Sequence, residues 1–165
     1  MLIPKVDGGF RGIVLVKVLW KAFWGVINQR IGAAVRFHDV LHSFWAGQGA
    51  GTAVLEAKFL RQLAEIMDEV LYEVFLDLWD ACDLLDREQY MEILVGFRVG
   101  PRMERILRNY WDHLSMVARV GRYCGTLFKG HRGVTQCDPL SPTIFDMVFD
   151  VVIHHWVTLV AEEER

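Results

Sequence analysis

The sequence has little proline, little cysteine and no excess of basic charge. Four prolines in 165 residues, with no Pro/Ser-rich stretch, leave no linker, so we expect one continuous domain over residues 1–165. The three cysteines, Cys82, Cys124 and Cys137, are an odd number without zinc-site spacing. They predict reduced thiols and therefore a cytoplasmic or nuclear protein, not a secreted one.

Uninterrupted apolar runs and a targeting segment are also missing. The longest apolar stretch, roughly residues 143–161, is broken by Asp146, Asp150, His154 and His155, which argues against a membrane span. The first residues contain no apolar signal core after a basic region. A weaker alternative makes residues 17–36 a membrane-surface helix, because they combine Trp, Phe and Lys.

The charge balance gives nucleic-acid binding no general support. Eighteen Lys and Arg residues face twenty-one Asp and Glu residues, for a formal charge of −3. Strong nucleic-acid binders usually carry a basic surface, because phosphate contacts dominate their affinity. A composition that is 53% hydrophobic, with six Trp and ten Phe, predicts a folded chain. It also predicts exposed apolar patches, or a protein partner that covers them.

Apolar periodicity and turn residues predict an α+β protein. We expect one hairpin from residues 2–3 and 13–16, another from 115–120 and 123–128, and a buried strand at 72–78. Helices are predicted to begin near Val18, Thr52, Asp86, Pro101 and Ser141. Two helices carry positions predicted to face the core: Leu55, Phe59, Leu63, Ile66 and Val70, then Phe145, Val148, Val152, His155, Trp156 and Leu159.

Two segments in the first third of the chain suggest contacts with phosphate. Residues 2–11 place Lys5 and Arg11 on a glycine turn, either as a clamp for a phosphate chain or as solvated charges on a surface hairpin. Residues 42–52 are rich in glycine and lead into the helix at Thr52. They form either an anion-binding backbone nest or a flexible connection.

Two later segments suggest a metal and a ligand pocket. Asp77 follows three apolar residues, and a carboxylate there is either a ligand for a hard cation such as magnesium or a turn cap. Residues 132–142 contain two prolines and a turn-forming aspartate, which predicts a rigid loop that presents Gln136. An ordinary helix start would show the same spacing.

Taken together, the four segments resemble consecutive blocks of reverse transcriptases of the non-LTR retrotransposon and group II intron type. Gln136-Cys137-Asp138-Pro139-Leu140-Ser141-Pro142 resembles the family's Gln-Gly-Asp-Pro-Leu-Ser-Pro block, which is highly specific. Residues 75–78 resemble its Phe-Leu-Asp-Leu block. Residues 3–11 resemble Ile-Pro-Lys followed by Gly-Gly-Phe-Arg, and residues 42–52 resemble a His-Gly-Phe-Arg block that ends in Gly-Thr.

The resemblance implies the fingers and an incomplete palm of a right-hand polymerase, with fingers over about residues 1–72 and partial palm with further fingers elements over about 73–165. The implied reaction is RNA-directed DNA synthesis on a template-primer, by nucleotidyl transfer with two magnesium ions. Asp77 would be the first metal-binding carboxylate. Lys5 and Arg11 would hold the triphosphate, Cys82 would occupy the position of the aromatic residue that excludes the ribose hydroxyl, and Gln136 would line the nucleotide pocket.

The sequence also departs from the family pattern. The family's Tyr-x-Asp-Asp hairpin, which supplies two more carboxylates, is expected after the last helix and does not occur in these residues. Cys137 replaces a glycine, so we expect either a backbone conformation or a close approach open to glycine to be lost. Trp45 and Gln48 stand at arginine positions, and Gly12 at a proline position.

These departures predict that the catalytic site is incomplete and that the chain alone has no polymerase activity. The alternative is a non-catalytic RNA- or protein-binding module derived from a retroelement.

Overall fold

The computed structural model describes residues 2–4, 6, 8, 10–44 and 47–163, with only the backbone for residues 10–12. Within these residues, six helices and two hairpins follow one another. In order they are β1 (Leu2–Pro4), β2 (Phe10–Gly12), α1 (Val18–Ala34), α2 (Ala50–Met67), α3 (Ala81–Leu84), α4 (Arg87–Gly96), α5 (Pro101–His113), β3 (Met116–Val120), β4 (Tyr123–Phe128) and α6 (Ser141–Glu163).

The two hairpins are separate antiparallel pairs. In the first, Leu2 lies opposite Gly12, so the predicted hairpin is present but its second strand lies at 10–12 instead of 13–16. The second matches the prediction: Val120 pairs with Tyr123, and Gly121 takes a left-handed φ of 58° in the turn between them.

One core joins α1, α4, α5 and α6. Each of these helices contributes large apolar side chains that are almost fully buried. They include Trp24, Ile27 and Ile31 from α1, Tyr90, Met91 and Leu94 from α4, Leu107 and Trp111 from α5, and Ile144 and Met147 from α6. This core supports the loop that precedes α6, where the candidate site lies.

Local signals set the boundaries of the core helices. The Asp86 side chain accepts hydrogen bonds from the amides of Glu88 and Gln89, which caps α4 as predicted. Pro101 occupies the first turn of α5, where a missing N–H costs nothing. The predicted starts of α1 and α6 are confirmed as well.

The buried strand predicted at residues 72–78 is wrong. This segment has no regular secondary structure, and every residue in it is exposed. Phe75 and Leu76 leave 85% and 87% of their surface accessible. A strand needs a neighbour to pair its backbone groups, and no strand of the described part of the chain lies beside it.

The predicted core faces of α2 and α6 also need correction. No residue of α2 is buried, so Leu55, Phe59 and Ile66 face outward. The buried face of α6 carries Ile144 and Met147. Of the predicted set, Val148 packs against the core, whereas Val152, Trp156 and Leu159 are exposed. Both errors have one cause: the apolar residues of these helices outnumber the positions that the four-helix core can cover.

Helix α6 is long and apolar enough to cross a membrane by length and composition, with a mean hydropathy of 1.6 over its best window. Only 22% of that window is buried. Such a helix is weak support for a span, since core helices of soluble proteins meet the same test. The arrangement into polymerase fingers and palm stays a prediction.

Candidate functional site

The candidate site forms where the loop before α6 docks onto the turn between α3 and α4. The amide of Gly133 donates to the carbonyl of Leu85, and the amide of Val134 donates to the carbonyl of Cys82, both at 2.8 Å. Two short backbone bonds therefore fix the loop, which runs over residues 129–140, against the residues that follow the Asp77 segment.

Arg87, the first residue of α4, holds the same loop from its other side. Its guanidinium donates to the carbonyls of Gly130, Arg132 and Gly133, at 2.6, 3.3 and 3.0 Å. The guanidinium carbon also lies 5.3 Å from the centre of the Trp111 ring. Burial lowers the pKa of Arg87, but an arginine keeps its charge in proteins. The side chain is therefore a cationic clamp on three carbonyl groups.

Gly133 is the point at which loop and turn come closest. It adopts a left-handed φ of 76°, and an added Cβ would lie 2.6 Å from the carbonyl oxygen of Asp83. Both the conformation and the space exclude a side chain. The close docking of the loop therefore depends on glycine at this position.

Gln136 connects the loop to two other parts of the chain. Its side-chain amide lies 3.5 Å from a carboxylate oxygen of Asp83, a long and weak contact. Its carbonyl accepts from the amide of Val14 at 3.3 Å. The end of the first hairpin, the α3 turn and the loop thus meet at Gln136, although they are far apart in the sequence.

Asp138 fixes the inside of the loop. It is 4% exposed and accepts hydrogen bonds from the Tyr110 hydroxyl at 3.0 Å, the Thr135 hydroxyl at 3.3 Å and the Leu140 amide at 3.0 Å. Burial, and then the charge of Asp138, raise the pKa of Tyr110 to about 12, so its hydroxyl stays a donor. The sequence marked Asp138 only as a turn former; its buried network was missed.

The two cysteines near Gln136, Cys137 and Cys82, differ in backbone conformation and in burial. Cys137 has a left-handed φ of 71°, so the expected loss of the glycine-like conformation is wrong. A side chain in this region costs roughly 1–2 kcal/mol. Cys82 is half-buried, and burial, followed by the charge of Asp83, raises the pKa of its thiol. Its sulfur is therefore a weak nucleophile at neutral pH.

Only part of the predicted site is brought together. The docked loop brings Gln136 near Cys82, because Val134 donates to the Cys82 carbonyl and Gln136 contacts Asp83. Asp77, by contrast, lies exposed in the segment without secondary structure. Lys5 lies outside the described residues. The backbone of Arg11 pairs with Ile3, but its side chain, like the whole of Trp45, falls outside them.

The described residues do not by themselves fit a metal centre. Within them, no group of three or more His, Cys, Asp or Glu side chains could hold a metal ion. Hard cations take six or more oxygen ligands, and Asp77 supplies one carboxylate. The predicted magnesium ligand therefore stands alone in this part of the chain.

The polar groups of the glycine-rich segment before α2 form hydrogen bonds with one another and with α2. The Thr52 hydroxyl accepts from the Gly49 amide at 2.9 Å and donates to the Gly49 carbonyl at 2.7 Å. His42 contacts Gln48 at 3.0 Å and Glu56 at 2.6 Å, and these bonds, led by that to Gln48, raise the pKa of His42. The Gly49 amide is thus already bonded, which disfavours the anion nest.

A second polar cluster was not predicted. Asp146 and Asp150, one turn apart on α6, are 1% and 3% exposed. Asp146 accepts from the Ser43 hydroxyl at 2.7 Å, and Asp150 accepts from the His38 amide at 2.6 Å and lies 3.3 Å from His154. The pair ties the segment between α1 and α2 to α6. The spacing of four residues between the two aspartates was the feature of the sequence that could have predicted this cluster.

No protein-family model matches the chain. The chain is similar to the Retrovirus-related Pol polyprotein from type-1 retrotransposable element R2 of Nasonia vitripennis, with 27% identity over 164 residues. The match covers 93% of this chain but 15% of that polyprotein. This similarity supports a retrotransposon-related, retroelement-derived protein.

Proposed function

We propose that the chain is a fragment of a reverse-transcriptase domain, with fingers and an incomplete palm. Its ancestral activity is template-directed DNA synthesis by two-metal nucleotidyl transfer, and the chain alone is inactive. The similarity to a retrotransposon Pol polyprotein supports the retroelement origin. The polymerase assignment rests on the four sequence blocks and on the site at Gln136.

The observation that carries the proposal is the convergence at Gln136. The end of the first hairpin reaches its carbonyl through Val14, and the α3 turn reaches its side chain through Asp83. These contacts link the fourth block to residues that follow the first and the third blocks, although Asp77 itself stays exposed. A nucleotide pocket built from those blocks needs this proximity.

In the proposed pocket each residue keeps the role that the resemblance implies. Lys5 and Arg11 hold the triphosphate, Gln136 contacts the nucleotide, and Cys82 stands near the ribose. Cys82 is smaller than an aromatic ring, so it would discriminate less strongly against a ribose 2′-hydroxyl. Asp77 would share magnesium with carboxylates from a Tyr-x-Asp-Asp hairpin, which these residues lack.

A primer-extension assay tests the inactivity of the isolated chain. With a primed RNA template, magnesium and deoxynucleotides, we expect no product above a protein-free control, because one carboxylate cannot hold two magnesium ions. Measurable incorporation by the purified 165-residue chain would overturn this part of the proposal.

A chimera tests the ancestry. This chain replaces the aligned region of the Nasonia polyprotein, so that the relative supplies everything that follows. We expect RNA-templated synthesis by the chimera, and a loss of at least about 1000-fold for its Asp77→Asn variant. The matched Asp112→Asn variant, at an exposed position on α5, should keep the parent rate. Equal activity of the two variants would contradict the role of Asp77.

The alternative is a non-catalytic RNA- or protein-binding module derived from a retroelement. One observation favours it: a groove of about 280 Å³ between α4 and α6, lined by Leu85, Ile93, Phe145, Val148 and Val152 among others, lies open beside the exposed 72–78 segment. Contiguous exposed apolar surface often marks a contact with another protein.

A further inference from the structure

Positive charge is concentrated in one stretch of this acidic chain. Residues 98–132 contain eight Arg and Lys residues and two acidic residues, a formal charge of +6, whereas the whole chain carries −3. The remaining residues therefore carry −9. The overall charge hides a strongly basic segment that covers α5, β3 and β4.

The basic residues lie on adjoining elements. Arg102 and Arg105 are exposed on α5, while Leu107 and Trp111 of the same helix face the core. Arg119 and Arg122 are exposed at the tip of the β3–β4 hairpin. The base of the hairpin is tied to the end of α5, because Lys129 donates to the carbonyl of Asp112 at 3.3 Å. We call the exposed hairpin residues Arg119, Arg122, Tyr123 and Lys129 the basic surface.

These charges are available to a ligand. Arg108 is neutralised by Glu88 at 2.8 Å and by Glu104 at 3.0 Å. By contrast, no carboxylate of the described residues pairs with any cation of the basic surface. Arg119 instead donates to the carbonyl of Gly121, a neutral group that leaves its charge uncompensated.

The hairpin also exposes an aromatic ring next to its charges. Tyr123 is 70% exposed, and the guanidinium of Arg122 lies 5.5 Å from the centre of its ring. All six residues of β4 are exposed, so no other element of the described residues buries this strand. Cations that track a phosphate chain, with an exposed ring for base stacking, are the elements of single-strand binding surfaces.

We propose that the basic surface binds the backbone of single-stranded nucleic acid, with a base stacked on Tyr123. The inference goes beyond the polymerase proposal, because it needs neither a metal site nor a nucleotide pocket. Charge complementarity selects a polyanion as the partner, and the exposed ring selects unpaired bases over a closed duplex.

Fluorescence anisotropy with a labelled, unstructured RNA of about 16 nucleotides tests the charges. Between about 50 and 200 mM salt the affinity should fall steadily, because bound phosphates release counterions. The triple variant Arg119→Gln, Arg122→Gln and Lys129→Gln should bind at least about tenfold more weakly, with a salt slope smaller by about 2, since each lost contact removes about 0.7.

A control variant removes the same charge elsewhere. Lys21→Gln, Arg30→Gln and Lys58→Gln change exposed residues of α1 and α2, and the affinity should stay within about twofold of the parent. Equal losses in both triple variants would show a non-specific charge effect and overturn the proposal, as would a parent chain with no salt-dependent binding. Thermal melting of both variants verifies that they fold.

The Tyr123→Ala variant separates stacking from charge. It should bind the RNA about fivefold more weakly, which corresponds to about 1 kcal/mol for one stacked base, and bind heparin unchanged. Equal weakening for RNA and heparin, or tighter binding of duplex than of single strand, would overturn the assignment to unpaired bases. If the chain binds RNA but the chimera makes no DNA, the result contradicts the polymerase proposal alone. If the chimera makes DNA but the chain does not bind RNA, the result contradicts this inference alone.

Discussion

Asp146 shows how a single buried group sets a pH response. Its carboxylate is 1% exposed, bonded to Ser43 and one turn from the equally buried Asp150. Burial raises the pKa of Asp146 to about 6, Asp150 adds to this, and the Ser43 hydroxyl opposes it. The folded protein thus binds this proton more tightly than the unfolded chain does.

Removing this charge should stabilise the protein at neutral pH. The contribution of the Asp146 proton to the free energy of unfolding is complete below about pH 4, where the unfolded chain is protonated too. It is lost as the pH rises through about 6. Asp146→Asn keeps an oxygen for Ser43 and should melt roughly 3 °C higher than the parent at pH 7, with the difference vanishing at low pH. Scanning calorimetry at several pH values measures this.

The control is Asp39→Asn, at an exposed position, whose melting temperature should follow that of the parent at every pH. A constant offset between the Asp146 variant and the parent, independent of pH, would assign the effect to packing and not to the proton.

The sequence predicted where helices begin better than it predicted which of their faces are buried. Caps and prolines, such as Asp86 and Pro101, act within a few residues, so the starts of α4 and α5 were readable. The buried face of α6 is set by the residues of α1 and α4 that pack against it. Apolar periodicity within α6 carries no information about these neighbours. The strand at 72–78 failed for the same reason, because pairing is a property of two segments. The site was partly readable: the motif gave Gln136, but not the clamp by Arg87.

Helices α2 and α5 should respond oppositely to loss of an apolar side chain. Phe59 on α2 is 61% exposed, and Phe59→Gln should change the free energy of unfolding by less than about 0.5 kcal/mol. Leu107 on α5 is fully buried, and Leu107→Ala should cost about 2–5 kcal/mol. Urea denaturation of both variants gives the comparison. A large loss at Phe59 would show that the outer face of α2 is covered in solution.

The molecule as a whole exposes far more surface than its mass requires. Its accessible area is 12818 Å², whereas a compact monomer of 19.1 kDa exposes about 8,400 Å². Much of this surface lies on α2, on the 72–78 segment, on the β3–β4 hairpin and on the second half of α6, none of which adds to the main core. A central body built from four helices thus carries several parts that pack little against it.

Limited proteolysis should reveal this organisation. Chymotrypsin should cut first after Tyr72, Phe75 or Trp79, which are exposed and outside regular structure, and much later at the buried Trp24 and Tyr90. The two fragments should elute together in gel filtration, because α1 packs against α4, α5 and α6 in one core. Early cleavage at Trp24, or separation of the fragments, would contradict a single core.

The left-handed backbone at Cys137 has a consequence for how the site loop tolerates change. A cysteine remains there in a shape suited to glycine, because Arg87 grips one end of the loop and Asp138 braces the other. Contacts at both ends of the loop therefore hold the backbone at Cys137 in this conformation. We expect Cys137→Gly to relieve the local strain without disturbing these contacts, and so to raise the free energy of unfolding by about 1–2 kcal/mol in urea denaturation.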